Sequence, residues 1–243
     1  MYGIVQSELL KMRHTFAMKL VLCAPLATLL LGYILSGSYV QLSTYNWWYT
    51  IILPVLVSML SANIIVRERN IGMQNILCFP VSFSKIWFGK MLALFFLTFV
   101  ANFLLWLVTT VVGFMASMKV SPINGMIGCA LSALTFLWQI PLIMLLTNFM
   151  GYFPVLILSV GANLLLSTVG AEKNWFFLDP YSIPARVVCP FFGMRPNGLP
   201  LESDSPLMDG SAVILGLLIS FLLLFLMSWI GSRFFEKGVQ KHD

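Results

Sequence analysis

Few side chains in this chain could carry chemistry, and their spacing argues against catalysis. The two histidines, His14 and His242, stand near opposite ends, and neither lies inside an apolar run. There is no H-E-x-x-H pair for zinc and no Ser/His/Asp set at a common depth. No two acidic residues share an apolar run, so a protease or transferase working inside a bilayer lacks its parts. No charge sits deep in such a run either, which leaves a proton relay or ion-coupled carrier without an evident carrier group. Gly89-Lys90 fails as a phosphate loop, because Ser84 stands where the first glycine is needed and Met91 follows the lysine. Any ATP chemistry therefore belongs on another subunit. The four cysteines, Cys23, Cys78, Cys129 and Cys189, are too widely spaced for a metal set and read as free thiols. No catalytic residue, metal site or resident cofactor is expected. The polar residues in or near the apolar runs are Asn63, Asn102, Gln139, Asn148 and Asn163. They are expected to hydrogen-bond between helices, with substrate contact the lesser reading.

Composition says what holds these groups. The chain is 59% hydrophobic and 9% charged, with a mean hydropathy of +0.92. Soluble domains carry about 25% charged residues, so this chain could not cover a water-facing surface and reads as an all-α integral membrane protein. The net charge of +5 belongs to membrane interfaces by its placement, and no nucleic-acid partner is expected.

Residues 1–19 place Tyr2, Val5, Leu9, Met12 and Phe16 at spacings of three and four, with Gln6, Lys11 and Arg13 off that stripe. The pattern predicts an amphipathic helix lying in the headgroup plane rather than a plain lead-in. Lys11, Arg13 and Lys19 ahead of an apolar run resemble a signal peptide, but no small-x-small cleavage site follows, so the segment is expected to persist as a helix. Residues 20–66 hold no charge, and about 20 residues suffice to cross a ~30 Å core, so two spans are expected there. Gly37-Ser38 and the polar run Gln41–Asn46 mark the turn between them. Six spans result, at about 20–37, 47–66, 91–118, 124–148, 153–170 and 211–232. The boundary between the fourth and fifth, at Asn148–Pro154, carries no charge, which leaves a re-entrant pair as the alternative. Between the last two spans, residues 171–210 carry six of the twelve prolines together with Trp175, Phe176, Phe177, Tyr181, Phe191 and Phe192. Disordered segments are poor in aromatics, so short helices half-sunk in the interface are expected.

The polar interval 67–90 carries five charges, four of them basic. Asn70 can cap a two-turn helix over Ile71–Leu77, and Pro80 disfavours helix at Phe79 and ends it. Arg67, Glu68 and Arg69 would fix its base, while Met73, Ile76, Leu77, Phe79 and Pro80 lie along its exposed part. With both termini on the same side as this interval, that side holds ten Lys and Arg and the other holds four, Lys119, Lys173, Arg186 and Arg195. This asymmetry puts the termini and the interval inside. Trp47, Trp48 and Trp175 then fall at the outer boundary, and Trp87 and Trp229 at the inner one, as two aromatic belts.

This order of elements resembles the membrane subunit of type-2 ABC exporters. Glu8-Leu9-Leu10-Lys11, Asn46-Trp47-Trp48-Tyr49 with Pro54, Glu68, Asn75-Ile76-Leu77, Pro80-Val81-Ser82, Lys85-Ile86-Trp87 and Lys90 are similar to the lantibiotic-immunity permeases, the MutE/EpiE/MutG group. The resemblance implies a plasma-membrane pump of two permease subunits, which need not be identical, and two copies of a cytoplasmic ATPase that binds ATP and Mg. It implies that residues 67–80 couple to that ATPase through Ile76, Leu77 and Phe79. The cargo would be a lantibiotic, a cationic peptide cleared from the membrane to the outside. Trp175, Phe176, Phe177, Phe191 and Phe192, with Asp179 among five acids against three bases, would then be the candidate cargo surface of the outer loop. An exporter of another amphiphile and a non-transport scaffold or sensor are the alternatives.

Overall fold

The computed structural model describes residues 1–13, 15–70, 81–202 and 204–239, and among these the regular structure is helical apart from one isolated bridge, Met194 with Pro200. Helix α1 spans Tyr2–Met12 and α2 spans Phe16–Ser36. Thr15 is extended between them, so Phe16, expected to extend the stripe of the lead-in helix, starts a separate helix. Gly37, with φ 47°, turns the chain through a 3-10 step at Gly37–Tyr39.

The next span begins earlier than the sequence suggests. Gln41–Asn46, expected as a turn, lies in α3 (Val40–Trp47), which runs through a π turn at Trp48–Ile52 into α4 (Leu53–Asn70). The polar side chains of this stretch find partners inside the protein, which removes the reason to leave the helix. The wide turn stands directly before Pro54, whose ring and missing N–H conflict with the carbonyl four residues back.

Helix α5 spans Phe83–Met115, starting well inside the interval read as a loop. Helices α6 (Pro122–Phe136) and α7 (Gln139–Met150) form one span with a break at Leu137-Trp138, where Pro141 cannot donate to the Leu137 carbonyl. Gly151, with φ 82°, turns directly into α8 (Tyr152–Ala171), within the stretch where the sequence places that turn. Helix α9 spans Ile183–Phe192 and α10 spans Ser211–Val239.

Among the described residues, six helical stretches are long and apolar enough to cross a membrane: Met18–Ser36, Val40–Asn70, Phe83–Met115, Pro122–Met150, Tyr152–Ala171 and Ser211–Glu236. The second and third, at 31 and 33 residues, exceed the roughly 20 needed for the hydrocarbon core, so their ends can project beyond it. Packing centres on α4 against α7 and α8, α5 against α2 and α6, and α9 against α6. Helix α9 is no half-sunk interfacial element: Ile183, Val187 and Val188 are fully buried in the bundle. The tryptophans also depart from the belt expectation. Trp48 and Trp87 are core residues, whereas Trp175 and Trp229 are exposed.

Candidate functional site

At one end of the bundle, four charged side chains from three helices meet, three of them buried and the fourth, Lys11, partly exposed. Helix α1 contributes Glu8 and Lys11, α4 contributes Glu68, and α5 contributes Lys90. Lys90 Nζ lies 2.7 Å from Glu68 Oε1 and 3.1 Å from Glu8 Oε1. Lys11 Nζ lies 2.8 Å from Glu8 Oε1 and 3.3 Å from Glu68 Oε1. Each ammonium thus touches both carboxylates, and the formal charges cancel. The Lys90 side chain is 0% exposed and the two glutamates 4% and 5%. A buried charge is tolerated only when paired and hydrogen-bonded, and here acids and bases alternate around the cluster.

Local sequence makes this meeting feasible. Glu8 and Lys11 stand three apart on α1, one turn of one face. Gly89 precedes Lys90, and a Cβ there would run into the Ile4 side chain, so the glycine lets α1 lie close against α5. Arg67 donates through Nη1 to the Lys11 carbonyl, satisfying an end group that α1 itself leaves open. Burial pulls the Lys11 pKa down, but the Glu8 and Glu68 carboxylates outweigh it and hold it above its ordinary value. Glu68 Oε2 is buried and has no hydrogen-bond partner among the described residues. The cluster ties the lead-in helix to the last turn of α4 and the first turns of α5, the two helix ends that flank residues 71–80.

The sequence placed Arg67, Glu68 and Arg69 together as a base for a coupling helix. The structure separates them: Arg67 reaches α1, Glu68 turns inward, and Arg69 is exposed. Asn70 is the final residue of α4, and the expected helix Ile71–Leu77, with Met73, Ile76, Leu77, Phe79 and Pro80, lies outside the described residues. Of the lead-in stripe, Met12 is buried, Val5 and Leu9 are half-buried, and Tyr2 and Phe16 are exposed. The face that α1 turns inward is centred on Glu8 and Met12, while Gln6 and Arg13, read as off the stripe, are exposed. Lys90, placed by the sequence at the end of the polar interval, lies instead within the first turns of α5 and is buried.

At the other end, residues 171–210 are fastened to the spans. Asn46 Nδ2 and Tyr49 Oη both donate to the Pro196 carbonyl, each at 3.0 Å. Phe192 stacks on Tyr45 with ring centroids 4.1 Å apart. Phe176 is buried under the Arg186 guanidinium, 5.5 Å from its ring centroid. Of the aromatics expected to meet cargo, Phe176 and Phe192 are therefore core residues, Phe191 is half-buried, and Trp175 and Phe177 are exposed. Asp179 accepts from the Tyr181 N–H at 3.1 Å, and burial pushes its carboxyl above the usual range against that bond. The buried amides hydrogen-bond between helices as the sequence suggests. Gln139 and Asn163 exchange bonds of 3.1 and 2.9 Å, and the Trp48 indole donates to Asn102 at 3.0 Å.

Sequence reasoning missed Glu8 and Lys90. One signal was available: Glu8 and Glu68 are the only acidic residues among the first 171, so the basic residues close to the spans had few anionic partners to choose from.

Six apolar helices define a multi-pass membrane protein, and among its described residues no group of three or more His, Cys, Asp or Glu could hold a metal ion. Comparison with protein families matches residues 4–170 to ABC-2 family transporter protein, and the chain belongs to that family. It is the membrane component of an ABC-2 transporter, a transport subunit rather than the ATPase, and the family implies an ABC ATPase as partner. Comparison with curated proteins and with solved structures returns no match. The matched stretch contains all four residues of the charge cluster.

Proposed function

We propose that this chain is the permease subunit of an ATP-driven exporter that clears lantibiotic peptides from the plasma membrane of a bacterium. Two copies of a cytoplasmic ATPase supply the nucleotide chemistry with ATP and Mg, and a second, different permease completes the pump. The observation that carries the transport reading is the family match over residues 4–170. The lantibiotic reading rests on the likeness of Glu8–Lys11, Asn46–Tyr49 and Glu68–Lys90 to the immunity permeases.

In this reading residues 71–80 receive the push of the ATPase, with both termini on the same side. The cluster supports the reading because it stands where α4 and α5 flank that segment. A displacement of either helix end is passed to α1 through ion pairs rather than lost in a loose loop. Cargo meets the exposed part of the outer segment, with Trp175 and Phe177 as apolar contacts. The acids and bases of 171–210, five against three, steer a cationic peptide weakly, since exposed charges are screened within ~8 Å at physiological salt.

The test is survival of cells carrying the chain with its ATPase and second permease, challenged with several lantibiotics and with unrelated amphiphiles. Protection against lantibiotics that disappears with Leu77→Asp at unchanged expression is the expected result. Protection only against other amphiphiles would replace the cargo, and a chain that never co-purifies with an ATPase would remove the pump.

A further inference from the structure

The cluster and the outer segment leave one polar feature unexplained, a groove between the start of α5 and the end of α10. It encloses about 450 Å³, within the ~300–1,000 Å³ range of small-molecule sites. Its long wall is a single face of α10: Phe225, Trp229, Arg233 and Glu236 recur at spacings of three and four. Ser84 and Phe88, one turn apart, supply the wall from α5. The two helices meet at the groove itself, where the Ser232 hydroxyl donates to Ser84 Oγ at 3.1 Å, and beside it. Trp87 fills the space that a side chain at Gly231 would need and lies 5.3 Å from the Phe235 ring.

The lining changes character along its length. Phe225, Phe88 and Trp229 are exposed apolar surfaces on candidate membrane spans. Toward the end of α10 the wall becomes Ser228, Ser232, Arg233 and Glu236. Arg233 leans over the Trp229 ring, 6.0 Å from its centroid. Neither Arg233 nor Glu236 has an ion-pair or hydrogen-bond partner among the described residues. An apolar channel that ends in a cation and an anion without ion-pair partners among the described residues, with hydroxyls nearby, has the polarity of an amphiphile turned inside out.

We propose that this groove binds a phospholipid whose headgroup carries both a phosphate and a primary ammonium. The phosphate takes the guanidinium of Arg233, a charge-assisted contact that arginine makes through two parallel N–H groups, and Ser84, which accepts from Ser232, keeps its own O–H to donate. The ammonium, with three N–H donors, takes the Glu236 carboxylate. One acyl chain follows Phe88 and Phe225 into the hydrocarbon. Pockets between membrane helices that present basic residues at headgroup level are recurrent lipid sites, and Glu236 adds the choice of headgroup. A trimethylated ammonium has no N–H to donate, so phosphatidylcholine loses the second contact. Phosphatidylglycerol keeps the first contact and places no cation at Glu236.

The full-length chain is purified in neutral detergent and titrated with dioleoyl-phosphatidylethanolamine, -phosphatidylcholine or -phosphatidylglycerol, and bound lipid is counted by native mass spectrometry. The wild type should hold phosphatidylethanolamine at least about tenfold more tightly than phosphatidylcholine, the scale of one hydrogen bond to a charged group. Arg233→Gln should weaken phosphatidylethanolamine and phosphatidylglycerol together. Glu236→Gln should abolish the preference for phosphatidylethanolamine over phosphatidylcholine while leaving phosphatidylglycerol binding intact. Equal retention of all three lipids by the wild type, a comparison that needs no variant, would overturn the proposal. So would unchanged binding in both variants, or efficient cross-linking of two copies through Ser228→Cys, which would make the groove an interface between chains.

Discussion

At the Gln41 end of the α3–α4 stretch the contacts are neutral, and at the Glu68 end they are ionic. The two ends lie about 40 Å apart at a rise of 1.5 Å per residue. Gln41 Oε1 accepts from the Lys119 and Val120 N–H groups, both at 2.9 Å, while its Nε2 donates to the Val120 and Thr109 carbonyls at 3.2 and 3.4 Å. Tyr45 and Thr109 hydroxyls meet at 2.7 Å. These hydrogen bonds carry no full charge, the Lys119 ammonium adding only a contact with the Tyr39 ring 5.4 Å from its centroid, and each broken bond exposes one dipole. At the other end every carboxylate leans on two ammoniums, so removing Lys90, Glu8 or Glu68 leaves uncompensated charge away from solvent, whereas Lys11, 29% exposed, sits at the edge of the cluster. The difference teaches how the fold divides its work. The neutral network clasps the turn between α5 and α6 with bonds that fail one at a time. The charge cluster joins three helices that stay together or part as a unit.

The largest expected effect comes from Lys90→Met, which sets Glu8 and Glu68 side by side with only Lys11 between them. Breaking a buried ion pair by removing one partner costs about 3–5 kcal/mol. Little monodisperse chain should be recovered in detergent. Recovery of wild-type thermal stability would show that the cluster is solvated and would erase the contrast between the two ends.

A smaller loss is expected from Gln41→Ala. Two buried N–H groups lose their acceptor, and an orphaned buried group costs about 1–3 kcal/mol. Thermal unfolding should show a clear but survivable drop, because Tyr45, Tyr49 and Asn46 keep the outer segment in place. A loss as large as that of Lys90→Met would mean that the two ends fail alike.

The smallest effect is a pH signature confined to the ionic end. Lys11 has its pKa held above the ordinary value of 10.5 by the two carboxylates. Its contribution to stability is therefore fully present below about pH 10.5 and fades as pH rises through the folded-state value. Lys11→Met should lose that alkaline slope while the rest of the profile is kept. A wild type and variant with parallel profiles up to pH 11 would contradict the assignment.

Hydropathy made the six spans legible, because a bilayer imposes a length that local composition must meet. Gly151 was legible as part of a turn, and Gln139 and Asn163 as residues that bond between helices, though not as partners of each other, because polar groups in an apolar run have few other uses. What escaped was the fate of polar residues at the margins of the runs. Gln41–Asn46 read as a turn, yet their partners Thr109, Val120 and Pro196 are 64 to 150 positions away. Lys90 read as part of a loop for the same reason. A lysine at a span boundary looks solvated until two glutamates, 22 and 82 positions away in the chain, are brought to it by helix packing. The aromatics of 171–210 were legible as apolar contacts, but no local pattern separates Phe192, stacked on Tyr45, from exposed Phe177.

A double-mutant cycle on Glu68 and Lys90 tests most directly whether the cluster is one ion-paired unit joining α4, α5 and α1. Thermal unfolding is measured for Glu68→Gln, Lys90→Met and the double variant in the same detergent. Contacting charged residues show interaction energies of about 0.5–3 kcal/mol, and a pair with Lys90 fully buried belongs at the upper end, so the double variant should be at least about 2 kcal/mol more stable than the sum of the single losses predicts. Losses that add to within about 0.5 kcal/mol would mean that the two side chains act independently and that the link between the helices lies elsewhere.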